Sequence, residues 1–93
     1  MGQTQRIPGN NSSIVTRDGN TMVTLHRTVV VEFDAERIIL RTGGWDTVTT
    51  RARMNQASNQ FGLGYQVYRD KGLTYVRHHD EIAILGQGAT LTR

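Results

Sequence analysis

Apolar and polar residues alternate with a period of two along most of this chain, and a longer period replaces it only between residues 47 and 61. A short SIVTR run from Ser13 is followed by Asp18-Gly19-Asn20, a strong tight-turn signal. From Thr21 to Phe33 the odd positions Val23, Leu25, Val29, Val31 and Phe33 are apolar. Arg27 interrupts them, and the even positions are mainly Thr24, His26, Thr28 and Glu32. That alternation predicts one long half-buried strand. Asp34-Ala35-Glu36-Arg37 then turns the chain into RIILRT, so the first three strands are expected to form an antiparallel meander.

The period changes after Thr42-Gly43-Gly44-Trp45. Thr50, Met54, Ala57 and Phe61 recur at spacings of four, three and four, which predicts a helix near 48–60 with one apolar face. Asp46 or Thr47 can cap its start, and Gly62 supplies a left-handed exit. YQVYRD and LTYVRH flank Asp70-Lys71-Gly72 as a hairpin, with Tyr65, Val67, Leu73 and Tyr75 as core or platform residues. EIAIL at 81–85 predicts a short strand, and ATLTR after Gly86-Gln87-Gly88 is either a last hairpin strand or a frayed tail.

A lone amphipathic helix must bury its apolar face on a sheet. The expected fold is therefore α+β: a small antiparallel sheet of about five to six strands (meander, helix, hairpin) packed on a single helix, with a curled barrel plugged by the helix as the alternative. Residues 1–12, holding the only proline and no apolar alternation, are expected to be a flexible lead-in to a single domain over 13–93. Val29, Val31, Leu40, Met54, Phe61 and Val67 are the expected core.

Ninety-three residues close one small core and cannot divide it, and 37% hydrophobic content argues against wholesale disorder. No run approaches the roughly 18 apolar residues of a membrane span, and MGQTQRIPGN has no apolar stretch for a signal peptide. A protein that stays in the cytoplasm where it was made is expected. Without cysteine there are no disulfides, thiolate metal sites or cysteine nucleophile. Net charge is +3, and ten of the eleven basic residues are arginine, whose planar fork matches phosphate and carboxylate. A GC-rich coding sequence explains the arginines equally well.

The densest polar constellation runs from 42 to 60. Gly43 and Gly44 allow close backbone approach just ahead of a helix N-terminus, an arrangement that attracts anions. Arg51, Asn55, Ser58 and Asn59 recur at helical spacing, away from the Met54 face. The expected ligand site is Gly43, Gly44, Trp45, Thr49, Thr50, Arg51, Asn55 and Asn59. Arg51 would grip a phosphate, Asn55 or Asn59 would read a ring edge, and Trp45 would close over the ring. Arg53 diverges from Arg51 by about 200° on a helix, so it is assigned with Gln56 and Tyr65 to support, or to a neighbouring chain. A solvated helix face usually carries Lys and Glu; this stripe has neither.

The TGGWDTVTTRARMNQASNQF block with the LGYQVYRD hairpin behind it resembles a group of small proteins encoded by tailed phages that share a Gly-Gly-Trp, Thr-Thr, Arg-Met-Asn-Gln pattern. The resemblance spans about residues 28–78. It implies a phage origin and a cell infected by that phage as the place of action, and it implies no activity.

Other motifs carry less. Gly62-Leu63-Gly64 lacks the third glycine and the context of a dinucleotide loop. His78-His79-Asp80-Glu81 has ligand atoms but no second cluster to complete a metal shell. His26 is placed on the polar side of its strand. No nucleophile elbow is present, so no catalytic residue, metal or cofactor is expected. The leading functional expectation is a non-catalytic counter-defence protein that sequesters a phosphorylated, nucleotide-type signalling ligand. Its alternatives are a protein–protein inhibitor of a host enzyme or defence effector, and a small nucleic-acid binder using Tyr65, Tyr68 and Tyr75. A sheet covered by one helix leaves an edge or face open, so a homo-oligomer is expected.

Overall fold

Tight turns and one capped helix set the course of the chain, and the computed structural model describes it over residues 3–5, 12–44 and 46–93. The elements are β1 (Gln3–Gln5), β2 (Ser12–Arg17), β3 (Asn20–Leu25), β4 (Thr28–Phe33), β5 (Arg37–Arg41), α1 (Val48–Phe61), β6 (Tyr65–Asp70), β7 (Leu73–His78), β8 (Glu81–Ile84) and β9 (Gly88–Thr92). They form a six-stranded antiparallel sheet, β1-β2-β3-β4-β5-β9, and a three-stranded one, β6-β7-β8. The α+β class holds. The strand count does not: nine strands are present among the described residues, and neither sheet closes, so the barrel alternative is excluded.

Two of the extra strands come from segments read too simply. The stretch 21–33 is a hairpin, not one strand. His26 adopts φ +57° and turns the chain with Arg27, pairing Leu25 with Thr28. Arg27, the charge that broke the apolar alternation, marks the turn, and histidine tolerates the left-handed region better than most side chains. His26 is thus an exposed turn residue. Within the hairpin Val23 faces Val31 while Thr24 faces Val29, leaving Val30 as an extra bulged residue. Val30 and Val31 are therefore both buried, and Val29, expected in the core, is only half-buried. Gln3–Gln5, inside the expected lead-in, pairs with β2.

The C-terminal strand neither folds back on β8 nor frays. Leu85, 1% exposed, anchors a corner, and the chain crosses to the other sheet, where β9 pairs with β5. The crossing needs Gly88: a Cβ there would lie 2.6 Å from the Leu40 carbonyl oxygen.

The helix matches its sequence signals. The Thr47 hydroxyl accepts from Thr50 N–H at 3.1 Å, and Gly62, at φ +63°, ends the helix with its N–H donating to Ser58 O. Met54 and Ala57 are fully buried against Val23, Val31 and Leu40 of the large sheet and Tyr65, Val67 and Val76 of the small one, in one shared core. Burying a side chain of Met54's size contributes about 1.5–3 kcal/mol. Phe61 is half-buried, not core, with its ring 5.0 Å from that of Phe33. Leu73, also expected inside, starts β7 on the outer face of the small sheet and is 48% exposed.

Candidate functional site

The polar stripe of the helix faces protein backbone. The Asn55 amide donates to Val67 O and accepts from Val67 N–H, both at 2.8 Å. One turn on, the Ser58 hydroxyl donates to Tyr65 O at 2.7 Å and accepts from Tyr65 N–H at 3.1 Å. Tyr65 and Val67 are alternate residues of β6, the edge strand of its sheet, and their N–H and C=O groups would otherwise lack a neighbour. Two helix side chains thus stand in for a missing strand. The Tyr65 hydroxyl completes the join by donating to Met54 O at 2.5 Å, and Tyr65 is too buried (5% exposed) to serve as a stacking platform.

At the helix N-terminus the expected anion contacts already have protein partners. Arg51, read from the sequence as an exposed phosphate grip, is only 14% exposed and pairs with Asp46 at 2.6 Å. Thr74 donates its hydroxyl to the other Asp46 oxygen. Burial works to raise the Asp46 pKa, but the hydrogen bonds from Thr74 and Arg51 outweigh it and hold the carboxyl below its ordinary value. Thr50 is buried in the capping contact with Thr47, and Thr49 is exposed. Gly44 N–H donates to the Thr42 hydroxyl at 3.3 Å. Gly43 is packed against Thr28, whose side chain lies 2.6 Å from where a Cβ would stand, so this glycine answers a protein contact. Trp45 lies outside the described residues. Arg53 donates to Ser12 on β2 at 2.9 Å and to Gln56 at 3.1 Å, tying the helix to the large sheet. A groove of about 460 Å³ opens beside this region, over an apolar floor that includes Leu25 and Val30, with Thr42 and Thr50 in its wall.

A larger depression lies elsewhere among the described residues. A groove of about 800 Å³ runs between the second half of α1 and the β7–β8 turn. Asn55, Asn59 and Tyr65 from the expected site line it, together with Gln66, Arg77, His78, His79 and Asp80. Asn55 has both amide atoms bound to β6, whereas Asn59 is exposed. Arg77 has Gln66 Oε1 as its hydrogen-bond partner, at 2.8 Å. The turn at its rim is unusual. His79 (φ +51°) and Asp80 (φ +64°) both occupy the left-handed region, whereas the Asp18-Gly19 and Lys71-Gly72 turns use glycine at the second position. Non-glycine residues in such conformations cost of order 1 kcal/mol or more each, so a pair of them is an outlier to be explained.

His78, 7% exposed, has its ring centroid 3.8 Å from that of His79, the two planes tilted by 52°. Burial, followed by the neighbouring His79, holds its pKa below the ordinary imidazole value, against the opposing influence of a Leu63 backbone hydrogen bond and Glu81. No cluster of three metal-ligating side chains exists among the described residues.

Of the groove residues that sequence reasoning did not assign, His79 and Asp80 were visible only as possible ligand atoms. The signal for them is the spacing: two residues between the alternating runs LTYVRH and EIAIL call for a two-residue hairpin turn. Arg77 and Gln66 left no local signal.

Fold and groove together define a small α+β protein in which one helix is clamped between two open sheets and a polar groove follows the helix's exposed end. Residues 2–89 match the family described as Kyanoviridae Gp96 protein, nearly the whole chain, and the chain belongs to that phage protein family. No curated protein and no solved structure matches it. No helix among the described residues is long and apolar enough to cross a membrane.

Proposed function

We propose that this phage protein is a non-catalytic binding protein that holds a small phosphorylated, nucleotide-type ligand in the 800 Å³ groove. Its role on this reading is to sequester that ligand, as a counter-defence measure, in the cytoplasm of the infected host. The observation that carries the proposal is the His79-Asp80 turn: two side chains are kept at positions where glycine would be less strained, and both line the groove. Beside them Arg77 offers a guanidinium fork for a phosphate, and Asn59 and Gln66 offer amides for a ring edge. Asp80 is an acceptor for a sugar hydroxyl or ring N–H. At the helix N-terminus Arg51 is held in an ion pair with Asp46, whereas the exposed Arg77 has the neutral Gln66 amide as its hydrogen-bond partner and brings its charge to the groove.

Native mass spectrometry of the protein purified from infected cells tests the proposal. A co-purifying nucleotide mass is expected with the wild type and with Arg51→Ala, and its loss with Arg77→Ala. Loss with Arg51→Ala and retention with Arg77→Ala would move the site to the helix N-terminus. A host protein in place of a nucleotide would favour the inhibitor alternative.

A further inference from the structure

The three-stranded sheet has two edges, and the chain treats them differently. The β6 edge is covered by Asn55 and Ser58, whereas all four residues of β8 at the other edge are exposed. Ile82 and Ile84 are 59% and 60% exposed. Edges are normally protected by lysine, proline or a bulge; β8 has no lysine or proline, and its only charge is Glu81 at its first position.

The hydrogen-bond phase shows which groups are open. Leu85 N–H donates to Thr74 O at 2.9 Å, and Val76 pairs with Ala83 and His78 with Glu81. Alternation along an antiparallel ladder directs the backbone of Glu81 and Ala83 to β7, so Ile82 and Ile84 direct their N–H and C=O groups outward.

We infer that β8 pairs antiparallel with β8 of a second copy about a two-fold axis at Ala83, joining the small sheets of two subunits into one of six strands. In that register Ile82 faces the partner's Ile84 and Ile84 faces the partner's Ile82. The outward N–H and C=O groups of all four isoleucines then form hydrogen bonds. Ala83 faces its own copy in the non-bonded position, where Cα atoms come closest, at about 4.5 Å, and a small side chain fits. Apolar side chains meet on one face: Tyr75, Ile84 and the partner's Ile82 follow one another across the strands. A shift of two residues would oppose Ile84 to Asp80 or Ile82 to Gly86 and lose this match. The two Glu81 carboxylates lie about four residues, or roughly 13 Å, apart, beyond the screening length at physiological salt. The second copy is thus the occupant whose strand matches this edge in hydrogen-bond phase, side-chain face and charge placement.

The chain contains no cysteine, so Ala83→Cys introduces a single thiol at the proposed axis. Non-bonded cross-strand Cα separation lies within disulfide range, and mild oxidation is expected to convert this variant to a covalent dimer. Leu73→Cys, exposed on the same sheet but away from its edge, is expected to form no covalent dimer under the same oxidation. Ile82→Lys should return the sedimenting mass from dimer to monomer with an unchanged far-UV circular dichroism spectrum. A wild type that sediments as a monomer at high micromolar concentration would overturn the inference. So would equal cross-linking of the two cysteine variants, or a dimer indifferent to Ile82→Lys. Cross-linking of Cys-substituted β8 only to a host protein in infected extracts would assign the edge to a different partner and equally refute the homodimer.

Discussion

Asn55 on the helix and Val67 on β6 exchange two hydrogen bonds of 2.8 Å, an amide side chain taking the place of a neighbouring strand. The pair decides how the conspicuous polar stripe of this protein is understood, because Asn55 and Ser58 belong to the join between helix and sheet. Asn55→Ala leaves a β6 donor and acceptor without partners and should destabilise the fold by about 2–4 kcal/mol in urea unfolding. Asn59→Ala, one turn away and exposed, should stay within about 0.5 kcal/mol of wild type while weakening ligand capture. Equal stabilities for the two variants would contradict the assignment.

Met54 contributes to the same join from the apolar side. It is fully buried, and Met54→Ala should cost about 2–4 kcal/mol. A loss below about 0.5 kcal/mol would mean that the cavity collapses, which a core shared by two sheets and a helix does not allow.

Gly88 tests the strand crossing. Gly88→Ala places a methyl group against the Leu40 carbonyl and should loosen β9 from β5, at about 1–3 kcal/mol. Hydrogen exchange should then accelerate along β9 while β6 to β8 keep their protection.

Asp46 and His78 are among the groups that give stability a dependence on pH; Glu32 and Asp34, whose hydrogen bonds also hold their carboxyls below the ordinary values, act in the same acid window as Asp46. Asp46 has a native pKa below its ordinary 3.8, so the stability it contributes is complete above 3.8 and is lost as pH falls through the lower native value. His78 is held below its ordinary 6.5 because burial disfavours its charged form. Its unfolded state therefore binds the proton first, and the contribution present above 6.5 is lost as pH falls through the native value. Denaturation midpoints should decline in both windows. His78→Gln should flatten the upper one and Asp46→Asn should reduce the lower, which Glu32 and Asp34 share; a profile unchanged by either substitution would contradict the assignment.

Much of the architecture is legible in the residues. Thr47 and Gly62 mark the helix ends, Met54 and Ala57 its buried face, and Asp18-Gly19 and Lys71-Gly72 their turns, because each is a local preference. His26-Arg27 and His79-Asp80 escaped because neither turn carries glycine. The Val30 bulge and the crossing of β9 depend on distant partners, Val23 and Leu40, which no local pattern names. The stripe of Arg51, Asn55, Ser58 and Asn59 was recognised as a unit, but its spacing does not distinguish a ligand from an open strand edge. Both present hydrogen-bond donors and acceptors to the same side chains.

Ligand capture is proposed to belong to the groove at Arg77, His79 and Asp80. Its most direct test is a ¹H–¹⁵N NMR titration with adenosine and guanosine monophosphates and a cyclic dinucleotide. Saturable shifts at the amides of Gln66, Arg77, His79 and Asp80 and at the Asn59 side chain, abolished in Arg77→Ala, are the predicted result. Saturable shifts confined to Gly43, Gly44 and Thr49–Arg51, or no shifts with any of these probes, would contradict it.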